Sequence, residues 1–162
     1  MDKHTRRNIP SFLRTNTNKK ITVESRAPKK NYIIDVGLRR VILKRDIEES
    51  RILENLVFLE LRRRKTPPTD IRYWRENNNE VDFVITDAGQ PIIAIQVTET
   101  LKAPDTQKRE IKPLIKIAAR HRIENLLIIT KHEEQTIKTR TRKITGNTIL
   151  EIRTKPPKYV EL

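Results

Sequence analysis

A chain of 162 residues has room for one domain with a real core, yet 35% of it is apolar and 35% charged, so part of it is expected to stay solvated. The absence of cysteine excludes disulfides, thiolate metal sites and cysteine nucleophiles, and His4, His121 and His132 show no metal-ligand spacing. Thirty-five Lys and Arg against 21 Asp and Glu leave a net charge of +14, a footprint of nucleic-acid binding.

No apolar stretch nears the roughly 20 residues of a membrane span, and the start lacks an apolar signal core. A soluble cytoplasmic protein with no membrane partner is expected. Residues 1–30 hold nine basic and two acidic side chains, half of the net charge. With Pro10 and Pro28 breaking any helix, this segment reads as an extended basic arm. Arg6, Arg7, Arg14, Lys19, Lys20, Lys29 and Lys30 are its candidate phosphate contacts, against the plainer reading of a solvated leader. Residues 31–36, NYIIDV, read as a first strand closed by Gly37, with a short helical piece over 38–43.

The spacing predicts a helix over 47–65. Ile52, Leu53, Leu56, Val57, Leu59 and Glu60 give its stripe, acidic residues precede it, basic ones end it, and Pro67-Pro68 stops it. Glu54 shares a face with Val57, Phe58 and Leu61. An edge glutamate with its head in water is the commoner case; the alternative is a carboxylate aimed at a site on the sheet.

Three strands are expected next, over 71–74, 80–85 and 91–98, with turns at Asn77-Asn78-Asn79 and Asp87-Ala88-Gly89. Strict alternation puts Val81, Phe83 and Ile85 on one face and Glu80, Asp82 and Val84 on the other. A hairpin centred on Gly89 sets Val84 opposite Ala94, Asp82 opposite Gln96 and Glu80 opposite Thr98; a shift of half a residue breaks that register. The four polar side chains Glu80, Asp82, Gln96 and Thr98 would then form either a site or a buried network.

A second helix from Asp105 or Thr106 to about Arg122 would bury Ile111, Leu114, Ile115 and Ala118, with Pro113 kinking it. Residues 125–130, NLLIIT, read as a buried strand parallel to 91–98. Residues 136–144 and 148–154 resemble a hairpin turning at Gly146-Asn147. Lys138, Arg140 and Arg142 would line one face of its first strand as a phosphate ladder. The expected organisation is a basic arm over 1–30, an α/β domain with a mixed sheet flanked by helices over 31–153, and a tail over 154–162. No glycine-rich phosphate loop is present, so ATP binding is not expected.

A helix bearing Glu54, a strand bearing Asp82 and a following strand with two polar positions resemble the PD-(D/E)XK nuclease superfamily. The succession NYIIDVGL, ILENLVFLELRRR, IRYWRENNNEVDFVI, IAIQVTETL, KREIKPL and NLLIIT is similar to the nuclease-fold domain at the C-terminus of archaeal and bacterial AAA-type ATPases, here as a free-standing version. The resemblance implies a restriction-endonuclease-like core. It casts Glu54 and Asp82 as carboxylates for Mg²⁺ or Mn²⁺, puts Gln96 where a second acid belongs and Thr98 where the lysine belongs. A neutral amide is a weaker ligand and threonine carries no positive charge. Glu80 is a replacement carboxylate, and Lys102 or Lys108 a replacement lysine.

On these departures the sequence reads as a nucleic-acid-binding protein, DNA or RNA, on a nuclease-like scaffold with a reduced catalytic site. The alternative is a Mg²⁺- or Mn²⁺-dependent endonuclease using Glu54, Glu80 and Asp82 as ligands. A third reading is a docking component of a ribonucleoprotein or ATPase assembly.

Overall fold

The computed structural model describes residues 11–14, 30–34, 48–134, 136–138 and 143–148. Strands β1 (Ser11–Arg14) and β2 (Lys30–Ile33) form an antiparallel ribbon. Part of the expected arm is therefore strand, and Lys30 begins β2. Helix α1 spans Glu49–Arg64. Strands β3 (Thr69–Glu76), β4 (Asn79–Asp87) and β5 (Gln90–Val97) follow, then helix α2 (Pro104–His121) and strands β6 (Asn125–Thr130), β7 (Thr136–Lys138) and β8 (Lys143–Thr148). No helix among the described residues is long and apolar enough to cross a membrane.

The main sheet runs β3-β4-β5-β6-β8-β7. β3, β4 and β5 pair antiparallel, β5 pairs parallel with β6 as expected, and β6 pairs parallel with β8. The final hairpin differs from its sequence reading. Gly146 and Asn147 lie inside β8, opposite Ile128 and Ile129, so the polar turn signal is overridden by pairing with a buried strand. β7 ends at Lys138, and Arg140 and Arg142 lie outside the described residues.

The helices cover opposite faces. Leu53, Val57, Phe58 and Leu61 of α1 pack with Phe83, Ile85, Ile93, Ile95 and Ile129; Leu114, Ile117 and Ala118 of α2 pack with Trp74, Val81, Val84, Ala94 and Ile128. Burying both sheet faces explains the near-continuous apolar runs of β5 and β6. The stripe of α1 is rotated from its sequence reading, leaving Leu56 40% exposed while Val57, Phe58 and Leu61, the Glu54 face, are wholly buried. Helix α2 starts with Pro104 in its first turn, ahead of Asp105, and continues through a buried Pro113.

The β4–β5 register reconciles both alternatives. At the turn Asp87 faces Gln90, with Ala88 and Gly89 at φ 44° and 82°, the left-handed pair a two-residue hairpin requires. A bulge between Ile85 and Thr86 shifts the register, and Val84 then faces Ala94 as the Gly89-centred pairing demands.

Candidate active site

A second irregularity aims the key carboxylate. Along β3 and β4, Arg72 faces Val84 and Trp74 faces Val81, so Tyr73 alone opposes both Asp82 and Phe83. Two residues against one break the alternation. Phe83 packs toward α1 while Val81 and Val84 pack toward α2, and Asp82 joins Phe83 on the α1 side, where Glu54 lies. The expected single surface of Glu80, Asp82, Gln96 and Thr98 is thereby divided. Gln96 sends its amide Nε2 to Glu110 Oε2 on α2 at 2.7 Å. Thr98 donates to the Thr100 carbonyl and does not reach the carboxylates.

The cation of the site is Lys30. Its Nζ lies 3.0 Å from Glu54 Oε1, 2.7 Å from Glu80 Oε1 and 3.0 Å from Asp82 Oδ1. This lysine, read as part of the arm, instead meets three of the carboxylates, while Thr98 bonds elsewhere. Of the expected replacements, Lys102 is exposed away from the centre, and Lys108 lines a neighbouring cleft that also holds Asp82.

Helix α1 positions β2. The wholly buried Asn55 accepts from the Ile33 N–H at 2.9 Å and donates to the Ile33 carbonyl at 2.8 Å, docking β2 as an extra strand would dock. Strand alternation then turns Lys30 and Tyr32 the same way. Tyr32 stacks on Phe58 at 4.2 Å between ring centres and donates its hydroxyl to Glu54 Oε1 at 2.7 Å. Asp82 Oδ2 accepts from the Val97 N–H at 2.9 Å, so Glu54 and Asp82 are both held from behind.

The electrostatics are unbalanced. Burial pushes the Asp82 carboxyl up to about 6, with Lys30 pulling it down and Glu54 adding to the rise. Burial alone would lower the Lys30 ammonium; Asp82, Glu54 and Glu80 outweigh it and hold it above the ordinary lysine range. Three carboxylates face one ammonium and, on Glu80, the Arg75 guanidinium at 3.8 Å, which leaves a surplus of one negative charge when all are ionised.

The centre opens on two clefts that share Glu80. One of about 330 Å³ is lined by Lys30, Tyr32, Arg51 and Glu54. The other, about 620 Å³, runs from Asp82 and Gln96 to Lys108, Arg109 and Lys112. Hard oxygen donors and surplus negative charge suit a divalent cation such as Mg²⁺. The present spacing is that of an ammonium cage, and among the described residues no three acidic or histidine side chains are grouped to hold a metal.

Of the expected arm and ladder contacts, Arg14 and Lys138 end strands β1 and β7, while Arg6, Arg7, Lys19, Lys20 and Lys29, like Arg140 and Arg142, lie outside the described residues. Sequence reasoning placed Lys30 in the arm as a phosphate contact rather than beside the carboxylates, and missed Tyr32, Asn55 and Glu110. The one local signal was the alternation of Lys30 with Tyr32 at the start of a predicted strand.

Comparison with known proteins gives a family. The chain is 38% identical over 110 residues to Uncharacterized protein MJ1544 of Methanocaldococcus jannaschii, covering 65% of this chain and 24% of that protein, so it spans about a quarter of the relative's length. No solved structure matches the chain. Residues 49–152 match the family model described as a domain of unknown function, DUF4143, a span that holds Glu54, Glu80 and Asp82 but not Lys30. The chain belongs to the DUF4143 family.

Proposed function

We propose that the chain is a metal-dependent nuclease on a restriction-endonuclease-like core, with Lys30 in the role that its strand position 98 has given up. The observation that carries this reading is the convergence of Lys30, Glu54, Glu80 and Asp82 on one point at 2.7–3.0 Å. A purely structural ion pair would match its charges; a surplus of carboxylate is what a hydrolytic metal centre needs.

In this reading Glu54, Glu80 and Asp82 would hold Mg²⁺ or Mn²⁺, which would supply charge compensation for the phosphoryl oxygens. Tyr32 and the Val97 N–H keep Glu54 and Asp82 oriented. Lys30, freed from the middle of the cage, donates to the scissile phosphate or to the attacking water. Its placement on β2 makes the ribbon part of the centre.

The test is cleavage of plasmid DNA and structured RNA with Mg²⁺ and Mn²⁺. The expected result is Mn²⁺-dependent nicking, abolished in Asp82→Ala and lowered roughly 10²-fold in Lys30→Ala, the usual size of one preorganised donor. Intact substrates at protein excess with Mn²⁺ would overturn it.

One observation favours a second reading, binding without cleavage: Gln96, at the place of the second acid, is committed to Glu110. Salt-sensitive binding of uncut nucleic acid is its signature.

A further inference from the structure

Helix α2 carries cations at four-residue intervals, Lys108, Lys112, Lys116 and Arg120, a ridge along one side with about 6 Å of rise between neighbours. The ridge is divided. Lys116 and Arg120 both pair with Glu76, Lys116 at 2.9 Å. Lys108 and Lys112 are exposed, make no ion pair among the described residues, and border the 620 Å³ cleft that contains Asp82. Arg109, between them, is taken up by Glu110 at 2.8 Å.

We propose that Lys108 and Lys112 form a phosphate rail that lays a nucleic-acid strand along the cleft toward the carboxylates. The inference rests on the nuclease reading and extends it to how the substrate is held. The cleft sorts its charges by depth: Glu110, Gln96 and Asp82 lie buried or nearly so, while both lysines stand at the rim. An acidic peptide, whose charges are irregularly spaced, would meet the carboxylates below. A phosphodiester backbone offers regularly spaced charges to the rim and leaves the floor to a bound cation.

The experiment is fluorescence-anisotropy binding of the full chain to a labelled single strand and to its duplex, in EDTA, over a salt series. Loss of two phosphate contacts in Lys108→Ala/Lys112→Ala should flatten the slope of log K against log salt by roughly 1.4 for the single strand or 1.8 for the duplex. Lys108→Arg/Lys112→Arg should restore it. Lys65→Ala/Lys131→Ala removes the same charge elsewhere and should change the slope less. Equal flattening by both alanine pairs, an unchanged slope in Lys108→Ala/Lys112→Ala, or no binding by the wild-type chain overturns the rail. Because no metal and no turnover are involved, a chain that never cleaves leaves the rail standing. A chain that cleaves, with its slope indifferent to Lys108 and Lys112, loses the rail alone.

Discussion

Asp82 is the residue at which folding and chemistry pull apart. Its carboxyl is raised from the ordinary value near 3.8 to about 6, chiefly by burial. The folded state therefore holds a proton that the unfolded chain releases, and ∂ΔG/∂pH of unfolding is negative across that window. Stability due to this group is fully present below about pH 3.8 and is lost as pH rises through about 6. Two pH units correspond to about 3 kcal/mol. Asp82→Asn keeps an oxygen for the Val97 N–H and leaves Lys30 paired with Glu54 and Glu80. Thermal unfolding of this variant is expected to be higher than wild type at pH 7.5 and equal to it near pH 4, while cleavage disappears. A lower melting temperature at pH 7.5 would mean that the ion pair stabilises the fold, removing the case for a strained functional centre.

The backbone of β2 is tied to α1 by one helix side chain, beside the side-chain contacts of Tyr32 with Glu54 and Phe58. Asn55 satisfies both the N–H and the carbonyl of Ile33, and no other described contact fixes the backbone of β2 to α1 so directly. Asn55→Ala is expected to cost about 1–3 kcal/mol, the price of leaving buried polar groups unpaired. It should also abolish hydrogen-exchange protection at the Ile33 amide and, on the nuclease reading, reduce cleavage to the extent expected of Lys30→Ala. Full protection at Ile33 in the variant would show that β2 is held by something else. This dependence explains what could be read in advance. Glu54 was legible because helical periodicity places it with Val57, Phe58 and Leu61, and the register of Val84 with Ala94 because two-residue periodicity and a glycine turn constrain it. The bulge at Asp82 and Phe83 leaves no mark in composition, and it keeps Asp82 with Glu80 and Glu54 while parting it from Val84 and Gln96, which the alternation had grouped with it. Lys30 lay in a basic stretch that reads as solvated, and only distant contacts, Asn55 with Ile33 22 positions apart and Tyr32 with Glu54 and Phe58, draw its strand onto the helix. Gly146-Asn147 looked like a turn because local propensity speaks for one; β6, pairing beside it, decides otherwise.

At the scale of the molecule, a chain of net charge +14 carries a centre that is itself negative. On the proposed reading the excess positive charge would attract a polyanion and the carboxylates would repel it, unless a divalent cation filled the cage. Metal and nucleic acid would then be linked, each raising the other's affinity by the same factor, because the pair would share one neutralised site. Exchanging EDTA for Ca²⁺ at constant ionic strength tests this without relying on turnover. Ordinary screening by Ca²⁺ can only weaken binding to the cationic exterior. The expected result is the reverse: affinity for nucleic acid rises about fivefold or more, the lower end of usual coupling energies. In Asp82→Asn the rise should vanish while affinity in EDTA stays at or slightly above wild type, since a repelling charge has gone. A Ca²⁺ effect that is absent, or equal in wild type and Asp82→Asn, would mean that nucleic acid meets only the basic surface and never the centre. The four converging side chains would then be an internal brace between β2, α1 and β4.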